Sequence, residues 1–162
     1  MDDGVEWRKL QDALDTMGFS ATEKHDLFLV VALILHLGNL ELAEDRSEQA
    51  RVTNGAQLER ISALLGVSVS ALSGALLRPT VRAGRETVTQ ARTKKQVTDE
   101  VAALCKTLYE KAFGWLVDRI NRELDRPTSK ARFIGVLDIA GFEIFETNSF
   151  EQLCINLSLI HI

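Results

Sequence analysis

The sequence predicts a mostly α-helical chain that carries one buried strand of a parallel sheet near its C-terminus. Three observations carry this expectation. Apolar residues recur at spacings of three and four along most of the first 125 positions, the stripe of amphipathic helices. Ser20…Glu23 and Thr93…Gln96 are capping boxes, in which a hydroxyl and a long polar side chain each satisfy an orphan amide at a helix start. Phe133-Ile134-Gly135-Val136-Leu137-Asp138-Ile139 is apolar without alternation, the pattern of a strand covered on both faces.

Taken in order, Trp7, Leu10, Leu14 and Met17 predict a first helix that stops at Gly18, since glycine adopts the left-handed cap conformation without a Cβ clash. Ser20-Ala21-Thr22-Glu23 opens a second helix over about residues 21–37. It holds the longest apolar run, nine residues from Leu27 to Leu35, and Gly38-Asn39 closes it. Being apolar nearly all round, this helix is expected inside a larger body. Residues 41–57 are polar and predict a surface connection. Leu58, Ile61 and Leu65 mark a short helix ending at Gly66; Leu72, Leu76 and Leu77 mark another, stopped by Pro79. From Thr80 to Gln90 the helical period vanishes, and Ala83-Gly84 between Val81 and Thr87-Val88-Thr89 predicts a protruding hairpin-like loop.

Thr93…Gln96 then opens the longest helix, with Val97, Val101, Leu104, Leu108, Trp115, Leu116, Ile120 and Leu124 on one broad face and Pro127 at its end. At 1.5 Å per residue it runs roughly 45 Å. The apolar strand follows. One strand is not a sheet, so its partners are expected elsewhere in a longer chain. Neither an internal repeat nor a flexible linker occurs.

Composition narrows the function classes. The 162 residues fit one domain or a piece of one, and 46% hydrophobic with 26% charged residues is ordinary for a globular chain. The net charge of −4 excludes a uniformly basic nucleic-acid binder. Two cysteines, Cys105 and Cys154, supply neither a disulfide framework nor a four-ligand zinc site, and are expected as small hydrophobes on apolar helix faces in a reducing cytosol. No apolar run approaches the about twenty residues of a membrane span. The acidic N-terminus, Met1-Asp2-Asp3-Gly4, has no signal-peptide character. A soluble, intracellular protein is expected. His25, His36 and His161 match no metal spacing, and Trp7 and Trp115 are expected in the core.

Two segments carry chemistry. The apolar strand ends in Asp138, with Gly141 three residues on and Glu143 beyond it. Ligands of parallel α/β sheets bind at the carboxyl ends of strands. An aspartate there can hold magnesium, and a glycine lets a backbone amide approach a phosphate closely. An aspartate at a strand end is also a common plain turn residue, and four residues leave both readings open. The second segment, residues 78–95, sets Arg78, Arg82, Arg85, Arg92, Lys94 and Lys95 against Glu86 alone, a local balance of +5. Such a run is ordinarily a solvated face. No aromatic residue interleaves it, as base stacking on nucleic acid would need.

The whole string from Phe133 to Asn156, through Asp138-Ile139-Ala140-Gly141-Phe142-Glu143 and Asn148-Ser149-Phe150-Glu151-Gln152, resembles switch II and the start of the relay helix of myosin motor domains. Upstream, Ile34-Leu35-His36-Leu37-Gly38-Asn39, Ala83-Gly84-Arg85-Glu86 and Leu108-Tyr109-Glu110-Lys111-Ala112-Phe113-Gly114-Trp115 resemble further parts of the same domain in the same order, nearest to class II. The resemblance implies a fragment of an α/β P-loop NTPase motor domain, with ATP and Mg²⁺ as cofactors and the actin filament as partner. Residues 1–131 would be the upper actin-binding subdomain, 132–147 the central-sheet strand with switch II, and 148–162 the start of the relay helix. Asp138 would help hold magnesium through its water shell, Gly141 would offer its amide to the γ-phosphate, and Glu143 would pair with an arginine of switch I. Arg82, Arg85 and Glu86 would face actin, whose acidic surface would attract the basic loop. Light chains and a second heavy chain would bind through regions outside this segment, in a cytoplasmic, actin-associated setting.

Two departures qualify the resemblance. No Gly-x-x-x-x-Gly-Lys-Ser/Thr phosphate cradle occurs, so the 162 residues alone are expected not to hydrolyse ATP, and with no neighbours for the buried strand they are expected not to fold cooperatively. After Asn156 the chain reads Leu157-Ser158-Leu159-Ile160-His161-Ile162 where the family continues in a polar stretch, which predicts a truncated or non-native end. The alternative to a motor fragment is a short, non-catalytic helical module that binds actin or another partner.

Overall fold

The computed structural model describes residues 2–83, 86–125, 132 and 141–160, in two compact units, Met1–Arg126 and Pro127–Ile162. The first unit holds five helices and two short hairpins among its described residues. Helix α1 (Asp3–Thr16) is capped by Asp2, whose carboxylate accepts from the amides of Gly4 and Val5. It ends as the glycine predicts. Gly18 has φ 70°, and Phe19 N donates to Leu14 O while Gly18 N donates to Asp15 O, a Schellman turn that buries Leu14 and Phe19. Helix α2 (Ala21–Gly38) begins with the Ser20–Glu23 capping box.

Helix α3 (Gly55–Leu65) stops at Gly66 in the left-handed conformation, and α4 (Val69–Leu77) is capped by Ser68. Helix α5 (Lys94–Leu124) starts on the Thr93–Gln96 capping box and gives way to extended backbone at Asp125. Pro127, its expected stop, lies outside the described residues.

One core joins these helices. Leu33 and Leu37 of α2, Leu58 and Ile61 of α3, Leu72 and Leu76 of α4, and Val97 and Val101 of α5 form a single buried cluster. Leu37, Ile61 and Val97 are essentially sealed from solvent. Burial of each such side chain stabilises by about 1.5–3 kcal/mol, which outweighs the modest propensity differences within the helices.

The 41–57 segment departs from expectation. In place of a plain connection it folds into strands β1 (Leu42–Glu44) and β2 (Ala50–Val52), antiparallel with Leu42 opposite Val52. Leu42, Ala50 and Val52 pack against the core cluster. Asp45 makes the turn, its carboxylate accepting from Ser47 N at 2.8 Å and Gln49 N at 3.0 Å. Asn54 ties the hairpin to the end of α2 by donating to Asn39 O and accepting from Glu41 N. Strands of three residues are too short to display alternation among neighbouring charges.

Strands β3 (Thr80–Ala83) and β4 (Glu86–Thr89) form the expected hairpin, with Arg82 opposite Thr87 and Ala83 opposite Glu86. Backbone bonds from Gln90 N to Pro79 O and from Arg92 N to Leu77 O anchor its base on the end of α4.

Three core expectations change. Helix α2 is sealed only at Leu33 and Leu37, while Val31 and Leu35 stay exposed. Trp7 and Trp115 are also exposed, Trp7 lying tilted against Phe28 with ring centroids 4.7 Å apart and Trp115 meeting Phe19 edge to face at 6.0 Å. Cys154 is exposed as well, whereas Cys105 is half-buried and its burial raises its thiol pKa. The reason is common to all: none of the described residues of the same unit forms a layer over those faces. In the second unit, helix α6 (Phe150–Leu159) follows an irregular stretch from Gly141. The apolar strand Phe133–Ile139 lies outside the described residues.

Candidate functional site

The described part of the phosphate-side candidate is Gly141 to Asn156. Ser149 caps α6: its hydroxyl accepts from Glu151 N, and Gln152 Oε1 accepts from Ser149 N at 2.7 Å. Ser149 and Gln152 therefore form a capping box at the start of α6. Asn148 serves the preceding turn, accepting from Phe145 N at 3.0 Å and donating to Phe145 O at 2.8 Å. The Ser149 hydroxyl also bonds the Glu151 carboxylate and thereby holds the Glu151 pKa below its ordinary value.

Glu143 is half-buried and bound from the helix. Its amide donates to Asn156 Oδ1 at 2.8 Å, its carbonyl accepts from Asn156 Nδ2 at 2.9 Å, and its carboxylate oxygen Oε2 lies 3.4 Å from Gln152 Nε2. Gly141 stands differently. A Cβ on it would meet nothing within 4 Å, its φ is not positive, and its amide makes no hydrogen bond among the described residues. Nothing in the described part of this chain thus demands glycine at 141.

Asp138 lies outside the described residues. No group of three or more His, Cys, Asp or Glu side chains among the described residues gathers to hold a metal. Among the described residues, then, the Gly141 amide has no partner and Glu143 is held chiefly through its backbone.

At the other candidate, the β3–β4 hairpin presents Arg82 to solvent with no ion pair among the described residues. Arg85 lies outside the described residues, and Glu86 begins β4 opposite Ala83. The basic run is less uniform than its count suggests. Arg92 pairs with Glu100 at 3.1 Å, Lys95 pairs with Asp99, and Arg78 donates to Gln49 Oε1 at 3.2 Å. Acidic partners within the chain thus pair Arg92 and Lys95, while Arg82 stays outward.

Two residues carry structure that the sequence did not single out. Arg119 of α5 pairs with Glu23 at 2.9 Å, donates to Gly18 O at 2.7 Å and lies 4.8 Å over the Phe19 ring, so one guanidinium ties α5 to the α1–α2 turn. Asn156 holds both backbone polar groups of Glu143. Its only sequence signal is its place four residues after Gln152, one helical turn on the same face.

Comparison with known proteins places the chain. The pattern of the family described as myosin head (motor domain) matches residues 1–159. Myosin type-2 heavy chain 1 of Schizosaccharomyces pombe is 48% identical over 156 residues, covering 96% of this chain and 10% of that protein. Myosin type-2 heavy chain 2 of the same yeast is 49% identical over 159 residues, covering 98% of this chain and 8% of its own length. The non-muscle myosin heavy chain of Drosophila melanogaster is 43% identical over 158 residues, 96% of this chain and 8% of the relative. The chain thus spans a tenth or less of the length of these relatives.

Proposed function

The chain belongs to the myosin head (motor domain) family, a P-loop NTPase family, and from that premise we propose that it is a part of a class II myosin motor that couples ATP hydrolysis to movement along actin. The observation that supports this reading is a family match that runs unbroken across both candidate segments. In this reading residues 1–131 are the upper actin-binding subdomain, 132–147 the buried central-sheet strand with switch II, and 148–162 the start of the relay helix.

Asp138, Gly141 and Glu143 form the switch II contribution to the ATPase site. Asp138 holds the water shell of Mg²⁺, Gly141 donates its amide toward the γ-phosphate, and Glu143 pairs with an arginine supplied from outside this segment. Mg²⁺ supplies charge neutralisation when bound; positioning and electrostatic stabilisation are what the protein adds to phosphoryl transfer. The β3–β4 hairpin, with Arg82, Arg85 and Glu86, faces the acidic surface of actin. Light chains and a second heavy chain join through other regions, and the assembly works in the cytoplasm on the actin cytoskeleton.

Two experiments test this. In the longer myosin chain carrying this segment, Glu143→Ala is expected to lower turnover by at least roughly 10²–10³-fold, the scale of losing one positioned electrostatic group, with ATP binding largely retained. Unchanged turnover would remove Glu143 from the site. The isolated 162-residue chain is expected to show no ATP turnover, because the phosphate cradle is absent from it; phosphate release above the buffer rate refutes that.

A further inference from the structure

Glu143 is fastened through its backbone rather than through its carboxylate. One side chain, Asn156, accepts from its N–H at 2.8 Å and donates to its C=O at 2.9 Å. An amide that satisfies both polar groups of one residue imitates a neighbouring strand residue, and so fixes the orientation of that peptide as well as its distance. Gln152, one turn earlier on the same face of α6, adds the looser 3.4 Å contact to Glu143 Oε2.

None of the described residues between 141 and 160 is buried, and Phe150, Leu153 and Leu157 of α6 are all more than half exposed. Among the described residues it is therefore polar contacts that link Glu143 to α6. The arrangement also has a direction. Gln152 uses its oxygen to complete the Ser149 cap and its nitrogen to reach Glu143, so the helix start and the carboxylate share one side chain.

From this geometry we propose that Asn156 is the positioning residue of Glu143, with Gln152 as its auxiliary, so that the paired side-chain amide fixes the orientation of the Glu143 peptide. The proposal rests on the assignment of Glu143 to the ATPase site. Asn156 touches neither nucleotide nor reacting atoms in it; it acts through Glu143. A misplacement on the order of 1 Å can cost about 10²-fold in rate, which sets the scale expected.

The test uses the longer myosin chain carrying this segment. Asn156→Ala is expected to lower kcat by about 10–100-fold while leaving ATP affinity within about twofold. Hydrogen exchange of the Glu143 amide should rise at least about tenfold, because its acceptor is gone. Asn156→Asp keeps an acceptor for that amide and should keep it slow to exchange, which guards against a variant that merely misfolds. The double variant Glu143→Ala/Asn156→Ala should turn over no more slowly than Glu143→Ala alone; a further loss would overturn the proposal by showing that Asn156 acts independently.

Gln152→Glu retains the oxygen that caps α6 but sets a carboxylate beside Glu143. It should move the acidic limb of the pH–rate profile upward with helix content unchanged; an unmoved profile removes Gln152 from the arrangement. Should Glu143→Ala keep full turnover, the ATPase assignment fails, and amide exchange then decides the clamp alone: faster exchange in Asn156→Ala upholds it, unchanged exchange overturns it.

Discussion

The two units of this chain are ordered by opposite means. In the first, four helices close on Leu37, Ile61 and Val97, and hairpin β1–β2 packs Leu42, Ala50 and Val52 against the same cluster. In the second, the described residues bury no side chain, and their order comes from a helix cap and the Asn156–Glu143 amide pair. A self-packed helical body can hold a surface hairpin rigidly, whereas a segment held by a few polar bonds can shift when those bonds exchange. Hydrogen bonds net only about 0.5–1.5 kcal/mol each in water, small beside a sealed hydrophobic cluster.

The strongest way to break this comparison is to open the first unit. Ile61→Ala removes a side chain with no solvent exposure and, in the longer chain carrying this segment, is expected to cost about 2–5 kcal/mol, visible as a fall in the urea midpoint. A midpoint that did not move would mean that the cluster does not hold the helices together.

An intermediate effect comes from pH. The carboxyl of Glu23 is held below its ordinary 4.5, first by the Ser20 amide, then by Arg119. A depressed acid stabilises the fold above its unfolded pKa and loses that contribution as pH falls through the folded value. Stability of the wild type relative to Glu23→Gln should therefore be constant above the ordinary glutamate range and should decline below about pH 4.5. A difference that grew on acidification would reverse the assignment.

The smallest effect should come from the second unit. Phe150→Ser changes a residue that is 75% exposed, and in the isolated chain it should alter stability by no more than about 0.5 kcal/mol. The same change in the longer chain sharpens the contrast: a loss of several-fold in folded yield there would mark this face as one that the rest of the motor covers.

Much of the architecture was legible from local chemistry. Ser20, Thr93 and Ser149 cap helices as their neighbours three residues on required, and Gly18 and Gly66 end theirs in the left-handed conformation. The β3–β4 hairpin was readable because the helical period stops and β-prone residues flank Ala83-Gly84. Hairpin β1–β2 was not, since its strands are short and charged and only contact with α5 and the core gives them a reason to form.

Burial was the weaker inference. Trp7, Trp115 and the outer face of α2 read as core because apolarity records what a surface avoids, not which layer covers it. At the candidate site, Gly141 was singled out by its place after the apolar strand, and Glu143 only by the resemblance to myosin motor domains. Asn156 did not, because an asparagine in a helix carries no signal of a bond across thirteen residues.

By itself, then, the amino-acid order settled where helices start and stop, since caps and glycine turns involve atoms only a few residues apart. Only the tertiary structure decided which apolar faces are sealed, which cations are spent on internal partners, and which side chain grips Glu143. Those outcomes depend on groups brought together across the chain, and their balance against solvation is struck only once the neighbours are in place.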